Sequence, residues 1–295
     1  MDGTREKSVV ALSSLVAAIL LTLFKTIVGL ATGSLGILSE AAHSGLDFAA
    51  ALMTYLAVRM SAKPADDSHH YGHGKFESFS ALFEVLLLLV TCGWIIYKAA
   101  YRLAGHPVQV EVNFWSFAVM AVAIGVDISR SRALMRVSRK YGSQALEADA
   151  LHFQSDIYSS LVVIFGLLFT KAGFPIADPL AALGVSILVM VASVRLAMRS
   201  SHVLLDRAPA GVEESIRKAL TSVPQVIEVR KLRVRDSGTQ MFVDVTIAVD
   251  GEMTLNESHV VADETERHIA AVVPKVDVTV HVEPSINAVS LNPQR

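Results

Sequence analysis

The sequence predicts a membrane all-α bundle of six transmembrane helices followed by a small α+β domain, and three observations carry that prediction. Six segments, at about 9–31, 35–60, 79–101, 114–136, 145–169 and 177–200, hold the roughly 20 mostly apolar residues that a bilayer core requires. All of them precede residue 206, so the 52% hydrophobic content of the 295 residues is unevenly spread. Beyond that point short alternating and helix-spaced stretches take over, as in an ordinary soluble sequence.

The first segment follows Arg5 and Lys7 and is too long for the apolar region of a secretory signal; no small-residue cleavage site follows it. The breaks between segments contain turn or capping residues: Gly33-Ser34, Pro64 onwards, Gly105-His106-Pro107, Tyr141-Gly142-Ser143 and Gly173-Phe174-Pro175. Only a short basic, helix-compatible linker interrupts the fourth and fifth segments. Basic residues set the orientation. Arg5, Lys7, Arg59, Lys63, Lys75, the run from Arg130 to Lys140, Arg195, Arg199 and Arg207 fall on one side, against Lys98, Arg102 and Lys171 on the other. Both termini are therefore expected in the cytoplasm, with the chain multi-pass in the cell inner membrane and in contact with its lipid bilayer.

After the sixth segment, 212–222 has helical spacing, 226–235 and 241–249 alternate as strands around a Ser237-Gly238 turn, 256–273 is helical, and 276–283 alternates again. The order αββαβ predicts a two-layer, ferredoxin- or metallochaperone-like domain with its helices on one face of an antiparallel sheet. The expected organisation is residues 1–205 for the bundle, 206–285 for the cytoplasmic domain and 286–295 for a flexible tail. A formal charge of −2 gives no case for nucleic acid, and the single cysteine, Cys92, excludes an internal disulfide or a thiolate metal cluster. Cys92 sits in an apolar run and is expected to pack as a small hydrophobe.

Two of the apolar segments carry the chemistry. The second contains His43 and Asp47, the fifth His152 and Asp156, and in each pair the spacing of four places both groups on one helix face. Ionisable groups in a membrane helix are costly and mark ion paths. One such pair alone more often reads as a buried polar pair bonded to its neighbours. Two pairs in separate spans supply two imidazoles and two carboxylates, a set that suits tetrahedral zinc, and two carboxylates neutralise a dication. No thiolate favours copper(I) and no all-oxygen cage favours magnesium or manganese. Without metal the carboxylates would stand close together and unpaired, and protons relieve that, so metal and protons compete for one site. That competition is the physical basis of an antiporter. The ligand set leaves Fe2+, Co2+, Ni2+, Cd2+ or Mn2+ open as cargo, because affinity order is a poor guide to the ion carried. A zinc hydrolase would need an open coordination position and a general base; four ligands close the shell, and no HExxH occurs. The chain is expected not to be an enzyme, and a membrane metal sensor stands as a further reading.

The second loop, Asp66-Asp67-Ser68-His69-His70-Tyr71-Gly72-His73, holds three histidines and two aspartates, enough for a peripheral metal or simply a solvated polar turn. In the soluble part His281 and Glu283 are two apart on a strand and face one side. Lys25, Glu84 and Asp127 are further charges within the apolar segments: Lys25 reaches outward or pairs with Asp127, and Glu84 lines the cytoplasmic entrance. The basic run from Arg130 to Lys140 reads as a topology signal beside anionic lipid.

Taken together, the two HxxxD pairs, Tyr71-Gly72-His73-Gly74-Lys75-Phe76-Glu77, Ala148-Asp149-Ala150-Leu151-His152 and Leu204-Leu205-Asp206-Arg207 resemble the cation diffusion facilitator family over nearly the whole chain. His rather than Asp at residue 43 resembles its bacterial zinc-transporting branch. The resemblance implies a homodimer that exports divalent metal from the cytoplasm in exchange for protons by alternating access, with Zn2+ as cargo and the site between the second and fifth helices. It implies a secondary metal site from Asp66, His69 and His73, with His70 spare, and a charge interlock between Lys75 and Asp206. It also implies zinc sites in the soluble domain. Arg230 and Thr246 fall where two of those ligands would stand, which leaves a single regulatory site from His259, His281 and Glu283, or ordinary surface groups on a dimerisation domain.

Overall fold

The computed structural model describes residues 2–32, 35–104, 114–171 and 176–285. The predicted breaks at Gly33-Ser34, Gly105-His106-Pro107 and Gly173-Phe174-Pro175, and the tail 286–295, lie outside the described residues. The chain divides into two compact units, Met1–Ser201 and His202–Arg295.

The helices are α1 (Asp2–Thr32), α2 (Leu35–Ser61), α3 (Lys75–Leu103), α4 (Phe114–Tyr141), α5 (Gln144–Lys171) and α6 (Ala177–Leu204). The shortest, with 27 residues, is about 40 Å long at 1.5 Å per residue, against about 30 Å for a bilayer's hydrocarbon. They outrun the apolar segments because polar first and last turns continue the helix. At the start of α1, for example, Glu6 accepts hydrogen bonds from Lys140 Nζ at 2.7 Å and Tyr141 Oη at 2.6 Å. Among the described residues three helical stretches are both long and apolar enough to cross a membrane: Gly3–Ala31, Lys75–Leu103 and Pro179–Leu204. The other three long helices hold His43, Asp47 and Arg59 on α2, Asp127 with the basic run on α4, and Glu147, Asp149, His152 and Asp156 on α5. The basic run is no linker; it forms the last turns of α4. Gly142, with φ +68°, and Ser143 alone connect α4 to α5, and Ser138 Oγ donates to the Ser143 carbonyl at 2.8 Å across the turn.

Small residues let these helices approach. Ala11, Val58, Leu134, Ala145, Leu146, Ala150 and Phe153 bring α1, α2, α4 and α5 into one buried cluster. Ala81 and Val85 of α3 pack on Ala148 and Leu196, and Leu88 and Cys92 pack on Val189, closing α3 against α5 and α6. Cys92 is buried there as the small apolar group its surroundings predict.

In the second unit the order is α7 (Val212–Leu220), β1 (Glu228–Asp236), β2 (Met241–Val249), α8 (Leu255–Val272) and β3 (Val276–Pro284). Thr254 and Glu257 form a capping box at the start of α8. Val243, Val245, Ile247 and Val249 lie on one face of β2 and pack with Ile216 and Leu220 of α7 and Val261 and Ile269 of α8. The expected antiparallel sheet needs correction. β1 and β2 are antiparallel, but β2 and β3 are parallel, with β2 in the centre. The cause is α8: a helix between two neighbouring strands returns the chain to the starting edge, and the second strand then runs with the first.

Candidate metal centre

On α2, His43 and Asp47 lie one turn apart; on α5, His152 and Asp156 do the same. The two helices face each other across these pairs. His152 Nε2 is 3.0 Å from Asp47 Oδ1 and 3.7 Å from Asp156 Oδ2. His43 Nε2 is 3.9 Å from Asp47 Oδ1 and 3.8 Å from Asp156 Oδ1. Donor atoms of His43, Asp47 and Asp156 all lie within 4.8 Å of one another. Asp47 and His152 are buried, whereas the His43 side chain is 42% exposed and opens the group on one side. The Phe153 ring meets the His152 ring edge-on at 5.6 Å. Two imidazole nitrogens and two carboxylates thus converge from two helices, a donor set and spacing that can contract around one tetrahedral dication.

The loop before α3 assembles a second group. Donor atoms of Asp66, His69 and His73 lie within 4.8 Å of one another, with His73 Nε2 3.4 Å from Asp66 Oδ2. His73 Nδ1 is 3.1 Å from the Pro64 carbonyl; a carbonyl only accepts, so Nδ1 carries the hydrogen, and in the neutral ring Nε2 is the nitrogen that offers a lone pair to a ligand. Asp66 Oδ1 accepts from Ser68 Oγ at 2.9 Å, Ser68 N at 3.0 Å and His69 N at 2.7 Å. The Ser68 hydroxyl and the His69 amide, in that order, hold the Asp66 carboxyl well below the usual carboxylate range. Gly72, at φ +77°, makes the turn that brings His73 back over Asp66.

The profile "Cation efflux transmembrane domain" matches residues 11–205, and "Cation efflux protein, cytoplasmic domain" matches 208–285. The chain belongs to the cation diffusion facilitator family. The cation-efflux pump FieF of Yersinia enterocolitica serotype O:8 is 32% identical over 278 residues, covering 93% of this chain and 92% of that protein. FieF of Yersinia pestis, strain Pestoides F, is 32% identical over 275 residues, covering 93% and 91%. A solved structure of CzrB is 33% identical and covers 26% of this chain and 96% of that one, with a TM-score of 0.25. As a cation diffusion facilitator the protein spans the membrane and moves divalent metal outward; it is a transporter and not an enzyme.

In this facilitator's soluble unit the expected ligands do not gather. His281 Nε2 is 3.6 Å from Glu283 Oε1, but Arg230 Nη1 donates to Glu283 Oε2, and His259 lies on α8 beside Asp263 at 3.9 Å. Among the described residues of one chain, His259, His281 and Glu283 form no cluster like the two above. For Glu283, a guanidinium already neutralises the carboxylate where a metal would need it. Thr246 pairs with His281 in the parallel register and adds only a hydroxyl. Lys75 opens α3, and Asp206 follows α6 with φ +55°.

Sequence reasoning passed over two facilitator residues. Arg130 is 6% exposed: its guanidinium stacks 3.6 Å above the Phe153 ring centroid, lies 3.5 Å from Asp127 Oδ1, and donates to Ser14 Oγ at 3.2 and 3.1 Å. Ser14 in turn donates to Asp149 Oδ2 at 3.2 Å. The legible signal was the acid three residues before it. Glu77 is buried and bonded to Lys7 at 2.5 Å, Ser61 at 2.9 Å and Ser143. Lys25, for its part, donates to Ser44 Oγ at 2.7 Å, on the turn between His43 and Asp47.

Proposed function

We propose that this protein exports Zn2+ from the cytoplasm in exchange for protons, as a homodimer working by alternating access. All six long helices cross the inner membrane with both termini cytoplasmic. Support for six spans comes from helix length, since even the shortest exceeds the hydrocarbon thickness, and from the one-sided distribution of Arg and Lys. His43, Asp47, His152 and Asp156 hold the cargo, and Asp66, His69 and His73 hold a peripheral ion at the loop.

One observation carries the reading: the imidazoles and carboxylates of two helices converge to within 3.0–3.9 Å. Zinc accepts that N2O2 set without geometric penalty, and the two carboxylates cancel its charge in a poorly hydrated place. Because the same lone pairs bind protons, occupancy by metal and occupancy by protons exclude each other, and a proton gradient drives efflux. The test is zinc uptake into inverted vesicles under an imposed pH gradient. His152→Ala and Asp156→Ala are expected to abolish it while the protein stays folded and membrane-inserted. Wild-type rates from either variant refute the site.

A further inference from the structure

Beyond the four ligand residues, α2 and α3 share a buried polar seam. Asp47, Thr54 and Ser61 recur every seven residues on α2, so they form one row with steps of about 10.5 Å. Glu77 and Glu84 have the same spacing on α3 and run the opposite way. The rows meet twice: Ser61 Oγ donates to Glu77 Oε1 at 2.9 Å, and Thr54 Oγ1 donates to Glu84 Oε1. The seam therefore leads from Asp47 at the metal centre, through the Thr54–Glu84 rung, to the Ser61–Glu77 rung at the helix ends, where Lys7 and Ser143 also reach Glu77.

Glu84 is the middle station, and its situation is unusual. It has 0% exposure, and its second oxygen, Oε2, is buried with no hydrogen-bond partner. Its one bond goes to Thr54 and not to a ligand residue. Ala81, Val85 and Leu88, on the same face of α3, pack on Ala148 and Leu151 of α5, which places Glu84 beside that stretch. Within it, the titratable groups are Asp149 and His152. Each has its own bare buried atom, Asp149 Oδ1 and His152 Nδ1. From α2 the facing group is the neutral Thr54, and α6 adds apolar Leu196 and Val189. No lysine or arginine is bonded to Glu84 among the described residues. Burying an unpaired charge is expensive, and a proton on Oε2 removes that charge.

We propose that Glu84 is a proton-exchanging residue of the transport cycle. It keeps its proton while no dication is bound and surrenders it when one settles between α2 and α5. The O–H bond of the Glu84 carboxyl breaks, the electron pair stays on the carboxylate, and the proton is taken up by water, which carries it past the Ser61–Glu77 rung to the helix ends. Departure of the metal reverses the step. The cause is the field of the arriving ion: two added positive charges favour an ionised carboxylate nearby. This inference rests on the metal–proton exchange proposed above and assigns part of it to a residue that holds no metal.

The test uses the full-length protein, with zinc as the probe. Protons released per zinc bound are counted by titration in weak buffer, and zinc flux in reconstituted vesicles is followed against pH. Glu84→Gln, of the same shape, is expected to bind zinc yet release about one proton fewer, and the slope of its log flux against pH is expected to fall by about one. Glu84→Asp is expected to restore the count. A Glu84→Gln protein with the wild-type proton count and pH profile overturns the proposal, as does a folded Glu84→Asp that restores neither. If Glu84→Gln does not fold, Thr54→Val keeps the carboxyl, removes its one hydrogen bond and is expected to move the pH midpoint of flux; an unmoved midpoint also overturns the proposal. The two levels separate cleanly. Wild-type flux indifferent to a pH gradient refutes the exchange reading itself, whereas coupled wild-type flux with an unaltered Glu84→Gln refutes only the role of Glu84.

Discussion

Replacing Glu77 measures what one buried carboxylate contributes to holding the helices in register. It links Lys7 on α1 at 2.5 Å, Ser61 on α2 at 2.9 Å and Ser143 in the α4–α5 turn. The ion pair is largely enclosed, with side-chain exposures of 8% for Glu77 and 13% for Lys7. Removing one partner of a buried pair costs about 3–5 kcal/mol, mostly because the other charge is left without compensation. Lys7 can lean partly into solvent, and glutamine accepts from one serine while its NH2 donates to the hydroxyl of the other, so Glu77→Gln is expected to cost about 2–3 kcal/mol. Glu77→Ala also forfeits the two serine bonds, at about 1 kcal/mol each, for a total near about 4–5 kcal/mol. The informative partner is Lys7→Met. With both charges gone no orphan remains, so the double variant Lys7→Met/Glu77→Gln is expected to be more stable than Glu77→Gln alone. Thermal unfolding in detergent reads this out, at about 2–4 °C per kcal/mol for a unit of this size. A double variant no more stable than Glu77→Gln, or a Glu77→Gln loss below about 0.5 kcal/mol, refutes the orphan-charge reasoning.

Two further outcomes follow from the metal-binding groups. His43→Asp converts the N2O2 set into one richer in oxygen and is expected to strengthen competition by cadmium and manganese for zinc transport; unchanged competition profiles at matched free metal argue against His43 as the selectivity ligand. At the loop, Asp66 is held below the ordinary carboxylate range by Ser68 and His69, so its contribution to loop order is complete above the ordinary value and is lost only as pH falls through the lowered one. Its carboxyl signal in NMR is accordingly expected to stay flat from about pH 7 to about pH 4, while an ionisation midpoint above the unperturbed value of about 3.9 overturns that assignment.

What could be read from the chain follows the range over which each signal acts. The i, i+4 spacing of His43 with Asp47 and of His152 with Asp156 is local, so both pairs were legible on their helices; that α2 meets α5 came only from the family resemblance, since spacing within one helix says nothing about its neighbour. The alternation in 276–283 marked β3 but not its direction, which depends on the 18-residue helix that precedes it. Placing His281 and Glu283 on one side needed only the strand period. Arg230 on β1, 53 residues away, decides what Glu283 binds. Arg130 looked like a topology signal because its stacking on Phe153 exists only once the Gly142 turn folds α5 back along α4. Glu77 stood out only as the end of the Tyr71–Glu77 motif: its partners come from three other segments, and no periodicity within α3 points to them.

The two-residue connection at Gly142-Ser143 bears on how the protein enters the bilayer during synthesis. α4 is the least apolar of the long helices, and α4 or α5 alone would expose an aspartate or a guanidinium to lipid tails. Folded back on each other in the insertion machinery, they hide Arg130 beneath the Phe153 ring and present a smoother outer surface. On the six-span reading proposed above, the hairpin, more than either helix, is the unit the cell threads into the membrane. Lengthening the turn would carry its first penalty there, in the yield of inserted protein, before any ion is moved.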